Sequence, residues 1–299
     1  MIDLHSHSTA SDGRLSPEQL VREALQAGVT TLALTDHDTL GGLAEFNQLG
    51  QQLGLETISG VEVSAEFRSA LGKGSMHIVG LFVEPRPDFK IFLGKLAEGR
   101  RVRNPKIIAK LRALGLDITL EEVELEAGVK DLGPGGGAIE KSIGRPHFAS
   151  VLVRKGYVKN KQEAFDKYLA EGASGYSERF TADPVESIRQ IHAAGGVAVL
   201  AHPTYLNVAR PEALDDLVAE LAQAGLDGIE VYYSSFTPEE TARMLKLAEK
   251  NNLAPSGGSD FHGESRELAG ERYVELGRGR GNLKVPPEVL VELKRRRNA

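Results

Sequence analysis

His5 and His7 stand two residues apart near the start of the chain, and Asp260 and His262 repeat that spacing near its end. On an extended strand, residues i and i+2 share a face, so each pair can offer two donors to one cation. One His-x-His is a weak signal alone, because an exposed or backbone-bonded histidine is commoner than a ligand. Further candidates share one address, however. Asp36-His37-Asp38, Glu62 and His202 each fall at or just beyond the end of a short apolar, β-rich stretch. Imidazoles and carboxylates form the donor set of a divalent-metal site. Such a set suits hydrolysis, since a bound ion activates water and offsets charge on a phosphoryl or carbonyl oxygen. The sequence has no cysteine, which excludes disulfides, thiolate metal sites, iron–sulfur clusters and a cysteine nucleophile.

The elements that must gather these residues are legible from hydrophobic periodicity. Strands are expected at residues 2–5, 31–36, 57–63, 76–83, 197–202, 228–232 and 253–259, alternating with amphipathic helices. Helix starts are marked by Ser16-Pro17-Glu18, Asp183-Pro184 and Thr237-Pro238-Glu239-Glu240. Leu20, Ala24 and Leu25, and again Leu214, Leu217, Val218 and Leu221, have the spacing of a helix packed on a sheet. This alternation predicts a β/α fold with parallel strands, whose C-terminal strand ends converge on one face. Residues 87–175 break the rhythm and read as helices only, so residues 1–86 and 176–299 are expected to form the β/α body and 87–175 an inserted helical subdomain.

Several features carry no chemistry in this reading. Residues 133–137 fit a dinucleotide-loop glycine pattern, but a helix-like stretch precedes them where a strand is required, so a flexible loop is expected. Lys141-Ser142 follows Glu140 rather than glycine, which excludes a Walker A loop. His192 lies in a helical pattern and reads as a structural or surface histidine, and the basic residues 294–297 as a solvated helix end.

Composition sets outer bounds. The 299 residues are 41% hydrophobic and 26% charged, ordinary values for a globular protein. No apolar run approaches the ~20 residues of a membrane span, and the first residues lack a signal-peptide pattern, so a cytoplasmic protein without membrane association is expected. The net charge of −6 argues against stable binding of long nucleic acid; an anionic substrate must be attracted locally.

The ordered set His5-Ser6-His7, Ser11-Asp12-Gly13, Thr35-Asp36-His37-Asp38-Thr39, Gly60-Val61-Glu62, Ala201-His202-Pro203 and Ser259-Asp260-Phe261-His262 resembles the PHP (polymerase and histidinol phosphatase) metal-dependent phosphoesterases. The Ser-Asp-Gly turn, the helical insertion and Gly144-Arg145-Pro146-His147 resemble the subgroup of 3′,5′-nucleoside bisphosphate phosphatases, which includes a 5′→3′ exoribonuclease. The resemblance implies a distorted seven-stranded (β/α) barrel holding two or three divalent ions, Mn²⁺ foremost, with Zn²⁺ or Fe²⁺ as alternatives. It implies that His5, His7, Glu62 and Asp260 hold one ion, that Glu62, His77 and His202 hold a second, and that Asp12, His37 and His262 hold a third. Only the resemblance recruits His77, which lies near the start of its expected strand.

Three divalent ions against the carboxylates of Asp12, Glu62 and Asp260 leave about +3 with neutral histidines, a well suited to phosphate. A hydroxide bridging two ions is expected to attack phosphorus, with Glu62, His37 and His202 as catalytic residues. Arg100, Arg101, Arg103 and Arg145 lie in the insertion, and guanidinium matches phosphate through paired hydrogen bonds. Arg103 and Arg145, with Asn104 and His147, are expected to contact substrate, a phosphorylated nucleotide or the 5′ end of a short RNA. Asp36 and Asp38 are expected to orient His37 or backbone rather than bind metal. The rival readings are a histidinol-phosphate-type phosphatase, an amidohydrolase and a non-catalytic metal-stabilised module.

Overall fold

The computed structural model describes residues 1–129, 141–263 and 273–298; the glycine-rich loop expected at 133–137 lies outside them. Seven strands follow one another around a single sheet in chain order: β1 (Ile2–Asp3), β2 (Thr31–Leu34), β3 (Glu56–Ser69), β4 (Gly72–Leu81), β5 (Val197–Leu200), β6 (Gly228–Tyr233) and β7 (Ala254–Gly258). The sheet curls into a distorted barrel. Leu4 N–H donates to Gly257 O (3.1 Å) and Asp260 N–H to His5 O (2.9 Å), which joins β7 to β1. Gly258 permits that closure, because a Cβ there would come within 2.4 Å of the His5 backbone.

The expectation of parallel strands throughout is corrected at β4. Strands β1–β2, β2–β3, β5–β6 and β6–β7 pair in parallel, but β4 runs antiparallel to both β3 and β5. The link from Ser69 to Gly72 is a tight turn, and a parallel crossover needs a dozen residues or more. The apolar stretches at 57–63 and 76–83 are the inner halves of one long hairpin. Its outer half alternates polar and apolar residues, so apolar runs alone miss it. β1 is shorter than expected, and His5 and His7 continue its path through the isolated pairing of Ser6 with Phe261.

Helices α1 (Pro17–Ala27), α2 (Leu43–Leu53), α7 (Pro184–Ala193), α8 (Ala213–Gln223), α9 (Pro238–Lys250) and α10 (Pro287–Arg297) accompany the strands. Ser16 and Thr237 each close a reciprocal capping box, and the Asp183 carboxylate caps α7, as the sequence signals require. The apolar faces of α1, α2, α7, α8 and α9 are buried in one core that includes Leu20, Phe46, Ile191, Leu217 and Met244. Phe46 is fully buried, and its truncation to alanine would cost about 3–5 kcal/mol. A smaller apolar cluster made of Ile2, Leu4, Ile58, Val79, Leu81 and Val199 is joined by Leu290 and Leu293 of α10.

Between β4 and α7 lie α3 (Pro87–Ala113), α4 (Leu120–Glu126), α5 (Arg145–Arg154) and α6 (Lys161–Ala164), the last running into a π turn at Phe165–Leu169. These helices share an apolar cluster of their own, including Ile107, Leu111, Val123, Phe148, Leu152 and Leu169. Pro105 lies inside the continuous α3; its missing N–H leaves the Arg101 carbonyl without its helical donor beside Arg103 and Asn104. Among the described residues no helix is long and apolar enough to cross a membrane.

Candidate metal centre

Glu62, on β3, lies at the middle of the barrel mouth and is 1% exposed. Its Oε1 faces His77 Nδ1 at 2.9 Å and His202 Nε2 at 3.0 Å. Its Oε2 faces His37 Nδ1 at 2.9 Å, His7 Nε2 at 3.3 Å and His5 Nε2 at 3.4 Å. Asp260 Oδ1 approaches His7 Nε2 (3.1 Å) and His5 Nε2 (3.4 Å). Asp12 approaches His262 (3.3 Å), His37 (3.7 Å) and His7 (3.8 Å). Every residue expected to ligate metal is therefore in this one cluster.

The donor atoms fit cations better than one another. His5 Nε2, His7 Nε2, Asp12 Oδ1, His37 Nδ1, Glu62 Oε2 and His202 Nδ1 are buried without a hydrogen-bond partner, a costly state for polar atoms unless an ion completes them. Metal–ligand bonds of about 2.0–2.2 Å put neighbouring donors about 3.0–3.4 Å apart, the spacing seen around Glu62 and Asp260. Among the described residues three groupings could hold an ion: His5, His7 and Asp260; His37, Glu62 and His77; and His7, Asp12, His37 and His262. They overlap the expected sets without matching them: Glu62 is absent from the first, His37 stands where His202 was expected in the second, and His7 joins the third.

Electrostatics point the same way. Burial opposes charge on His5, yet Glu230, Glu62 and Asp260 hold its imidazole well above the usual range. Burial likewise opposes charge on His7, which Asp260 and Glu62 push up to about 10. Burial opposes ionisation of Glu62, but His37, His77 and His5 hold its carboxyl well below the carboxylate range. Proton and cation compete for the same lone pairs in such a site. For His77 burial is the largest influence and brings the ring down to about 4, against the opposing pull of Glu62.

The surrounding chain holds the donors in place. Glu230, on β6, accepts His5 Nδ1–H (2.8 Å) and the His202 backbone N–H (2.5 Å); the proton on Nδ1 turns the His5 Nε2 lone pair inward. Asp36 accepts Ser8 N–H, Ser8 Oγ–H and Ser11 Oγ–H at 2.5–2.8 Å, fixing the turn that carries Asp12. Asp38 accepts Ser64 N–H (2.7 Å) and two Arg100 donors (2.6 and 2.9 Å). Both acids thus organise backbone, as expected. Asp38, His202 and Asp260 adopt positive φ of 56°, 30° and 56°, strain of the kind that gathers at functional sites. Gly13 follows Asp12 because a Cβ there would come 2.4 Å from His7 O.

Beside the cluster lies an arginine layer. Arg103, 3% exposed, donates to Asn104 Oδ1 (3.2 and 2.9 Å), and Asn104 Nδ2 donates to Ile143 O (3.3 Å). Asn104 therefore positions Arg103. Arg145 donates to Leu169 O (3.0 Å) and lies over the Phe165 and Tyr176 rings (5.8 and 5.5 Å). Burial, with Arg100, Arg179 and Arg145 nearby, pulls the Arg103 guanidinium down to about 8; a bound anion removes that cost. Arg103, Arg145 and Arg179 line a cavity of about 240 Å³. His147 Nδ1 accepts Gly144 N–H (3.1 Å) at the start of α5, so its ring also serves as a cap. Arg101 is exposed and pairs with Glu98, away from the layer. His192 pairs with Asp227 (2.7 Å), outside the site.

Sequence reasoning missed Glu230, Tyr233 and Arg179. Tyr233 donates to Asp260 Oδ2 (2.7 Å) from the C-terminal end of β6, the strand that supplied no candidate. Glu230 could have been found as the lone charge in a buried apolar strand. Arg179, 3.7 Å from Asp38 Oδ2, carries no sequence signal.

Residues 3–130 match the family model described as PHP domain. The chain is 37% identical to a 5′-3′ exoribonuclease of Haemophilus influenzae, over 87% of this chain and 89% of that one. It is 36% identical to a 3′,5′-nucleoside bisphosphate phosphatase of Chromobacterium violaceum, over 87% of each. Among solved structures, a protein assigned as a metal-dependent phosphoesterase from Bifidobacterium adolescentis aligns with TM-score 0.81 at 28% identity, covering 99% of this chain and 96% of that one. An amidohydrolase from Chromobacterium violaceum with bound sulfate and no metal aligns with TM-score 0.83 at 32% identity, with the same coverage.

Proposed function

This chain belongs to the PHP-domain family of metal-dependent phosphoesterases, and from that premise we propose that it hydrolyses one phosphate ester of a 3′,5′-nucleoside bisphosphate, and by the same chemistry the first linkage of a short 5′-phosphorylated RNA. The relatives named for the two activities support a single site. An enzyme working from a 5′ end must hold the terminal phosphate in one place and cleave the ester on the 3′ side of the first nucleotide in another. With a nucleoside bisphosphate, the same placement releases the 3′-phosphate.

The observation that carries this reading is the convergence of unpartnered donors on Glu62 beside a separate cavity lined by Arg103, Arg145 and Arg179. We assign His5, His7, Glu62 and Asp260, then Glu62, His77 and His202, then Asp12, His37 and His262 as the ligands of divalent ions; a mixed imidazole and carboxylate set suits Mn²⁺, Zn²⁺ or Fe²⁺, and the family likeness favours Mn²⁺. Bound ions there supply an activated water and Lewis acidity toward a phosphoryl oxygen. The chain's own residues do the rest. His5, His7 and Glu62 have side chains at most 1% exposed, whereas His37, His202 and His77 are 15, 14 and 24% exposed; the latter three face the cleft, where substrate approaches. Arg100 is neutralised by Asp38, so Arg103, Arg145 and Arg179 remain to take the non-reacting phosphate. Residues 87–175 act as a lid that carries Arg103, Asn104, Arg145 and His147. The test is phosphate release from 3′-phosphoadenosine 5′-phosphate and p-nitrophenyl phosphate, and release of 5′-mononucleotides from a 5′-phosphorylated pentaribonucleotide, by Mn²⁺-loaded protein. Inactivity on all three would leave a metal-stabilised module as the better account.

A further inference from the structure

Strand β3 acts as a ruler. Glu62, Ser64 and Glu66 alternate onto one of its faces, and the antiparallel register sets Ser64 against His77 and Glu66 against Ser75. At about 3.4 Å per residue, Ser64 lies about 7 Å and Glu66 about 14 Å beyond Glu62. These positions define layers: Glu62 at the metal centre, Ser64 accepting Arg100 at 3.0 Å, and Glu66 in the wall of the arginine cavity. Glu171 lines the same cavity. Its Oε2 lies against Gly74 of β4, 3.7 Å from where a Cβ would stand, one residue from Ser75 in the Glu66 layer. Glu66 and the point where Glu171 meets Gly74 therefore lie farther along the hairpin from Glu62 than the Arg100 layer.

Neither acid forms a close ion pair with the cavity's cations, although Glu171 is near enough to Arg145 to favour its charge. Glu66 accepts Thr181 Oγ1–H (3.2 Å) and the exposed Arg68 (3.1 Å). Among the described residues no ion pair within 4.0 Å joins Glu66 or Glu171 to Arg103, Arg145 or Arg179. The cavity thus presents cations to a first phosphate and two carboxylates to anything anionic beyond it. We propose that Glu66 and Glu171 form a charge stop that admits a single 5′-phosphate and rejects a 5′-triphosphate, whose outer phosphates would lie against them. This inference rests on the assignment of the arginine cavity to the terminal phosphate. Like charges brought together give discrimination by repulsion rather than by added attraction.

The test compares kcat/KM for 3′-phosphate release from 3′-phosphoadenosine 5′-phosphate and 3′-phosphoadenosine 5′-triphosphate, using Mn²⁺-loaded wild type, Glu66→Gln, Glu171→Gln and the double variant. The ratio taken on one preparation is independent of its active fraction, so partial misfolding does not obscure it. The wild type is expected to favour the monophosphate by roughly 50-fold and the double variant by less than about fivefold. A wild-type ratio near one overturns the proposal. So does a double variant that keeps the wild-type ratio, the result a merely structural role gives. Failure of the underlying functional assignment looks different, because the wild type would then release no phosphate from either nucleotide, and the charge stop would fall with it.

Discussion

His77 Nδ1 lies 2.9 Å from Glu62 Oε1, although the two residues sit on strands running in opposite directions. The reversal of β4 makes the contact, because the antiparallel register sets His77 opposite Ser64, two residues from Glu62 on the same face of β3. Glu62 also reaches His202 at 3.0 Å and His37 at 2.9 Å, so one carboxylate joins the ligand groups.

Glu62→Gln keeps the size of the side chain and removes its charge. We expect it to lower both the divalent ions bound per chain and kcat, the latter by roughly 100-fold or more. Elemental analysis of the dialysed protein and steady-state rates check this; full metal content with an unchanged rate would reject Glu62 as a bridge.

Glu230→Gln tests the support beneath His5. A lost partner of a ligating imidazole costs about 10–100-fold in metal affinity or activity. Competition titration with a chromogenic chelator should show that loss, and wild-type affinity would mean that the 2.8 Å contact to His5 Nδ1 does not orient the ring.

Arg145→Ala should raise KM for 3′-phosphoadenosine 5′-phosphate by roughly 10–100-fold, the value of a charge-assisted contact. p-Nitrophenyl phosphate has no second phosphate to lose, so its KM is expected to move much less. An equal rise for both substrates would remove Arg145 from substrate recognition.

Chelation should abolish hydrolysis and lower the thermal midpoint by several degrees, and Mn²⁺ should restore both. Ions bound at 100-fold over Kd contribute about 2.7 kcal/mol to the native state, and a chain of this size moves a few degrees per kcal/mol. A midpoint indifferent to both treatments would argue that the cluster binds no ion in solution.

His192 supplies a pH test away from the metals. Its hydrogen bond to Asp227 raises the imidazole above its ordinary value against an opposing effect of burial. A raised pKa contributes stability that is fully present below the unfolded value near 6.5 and is lost as pH rises through the folded value. The ring is 40% exposed, so screening reduces the contribution to about 0.5 kcal/mol. Urea unfolding should therefore show His192→Gln more destabilised relative to wild type at pH 5.5 than at pH 8.5; a gap independent of pH would mean that the pair does not act through charge.

How much of the site was legible can be judged residue by residue. His5, His7, Glu62, His202, Asp260 and His262 were readable because each follows a run of apolar residues whose periodicity marks a strand, and strand ends in such folds meet at one rim. Glu230 hid inside a strand as a charge that periodicity treats as noise. Arg179 hid in a segment without periodic pattern, and Glu66 in the outer half of a hairpin whose alternation is half polar.

The sequence by itself determined the donor chemistry, the absence of thiolate alternatives, the strand count and the helix starts, because these depend on residue type and on spacings within a few positions. Tertiary structure decided the direction of β4, the closure of β7 onto β1 and the division of the arginines. Arg100 is paired with Asp38, Arg101 points outward, and Arg103, Arg145 and Arg179 line a cavity. The reason is range: local patterning fixes which face a side chain takes, but its neighbours across the fold are set by packing that joins residues such as His5 and Glu230, separated by 225 positions.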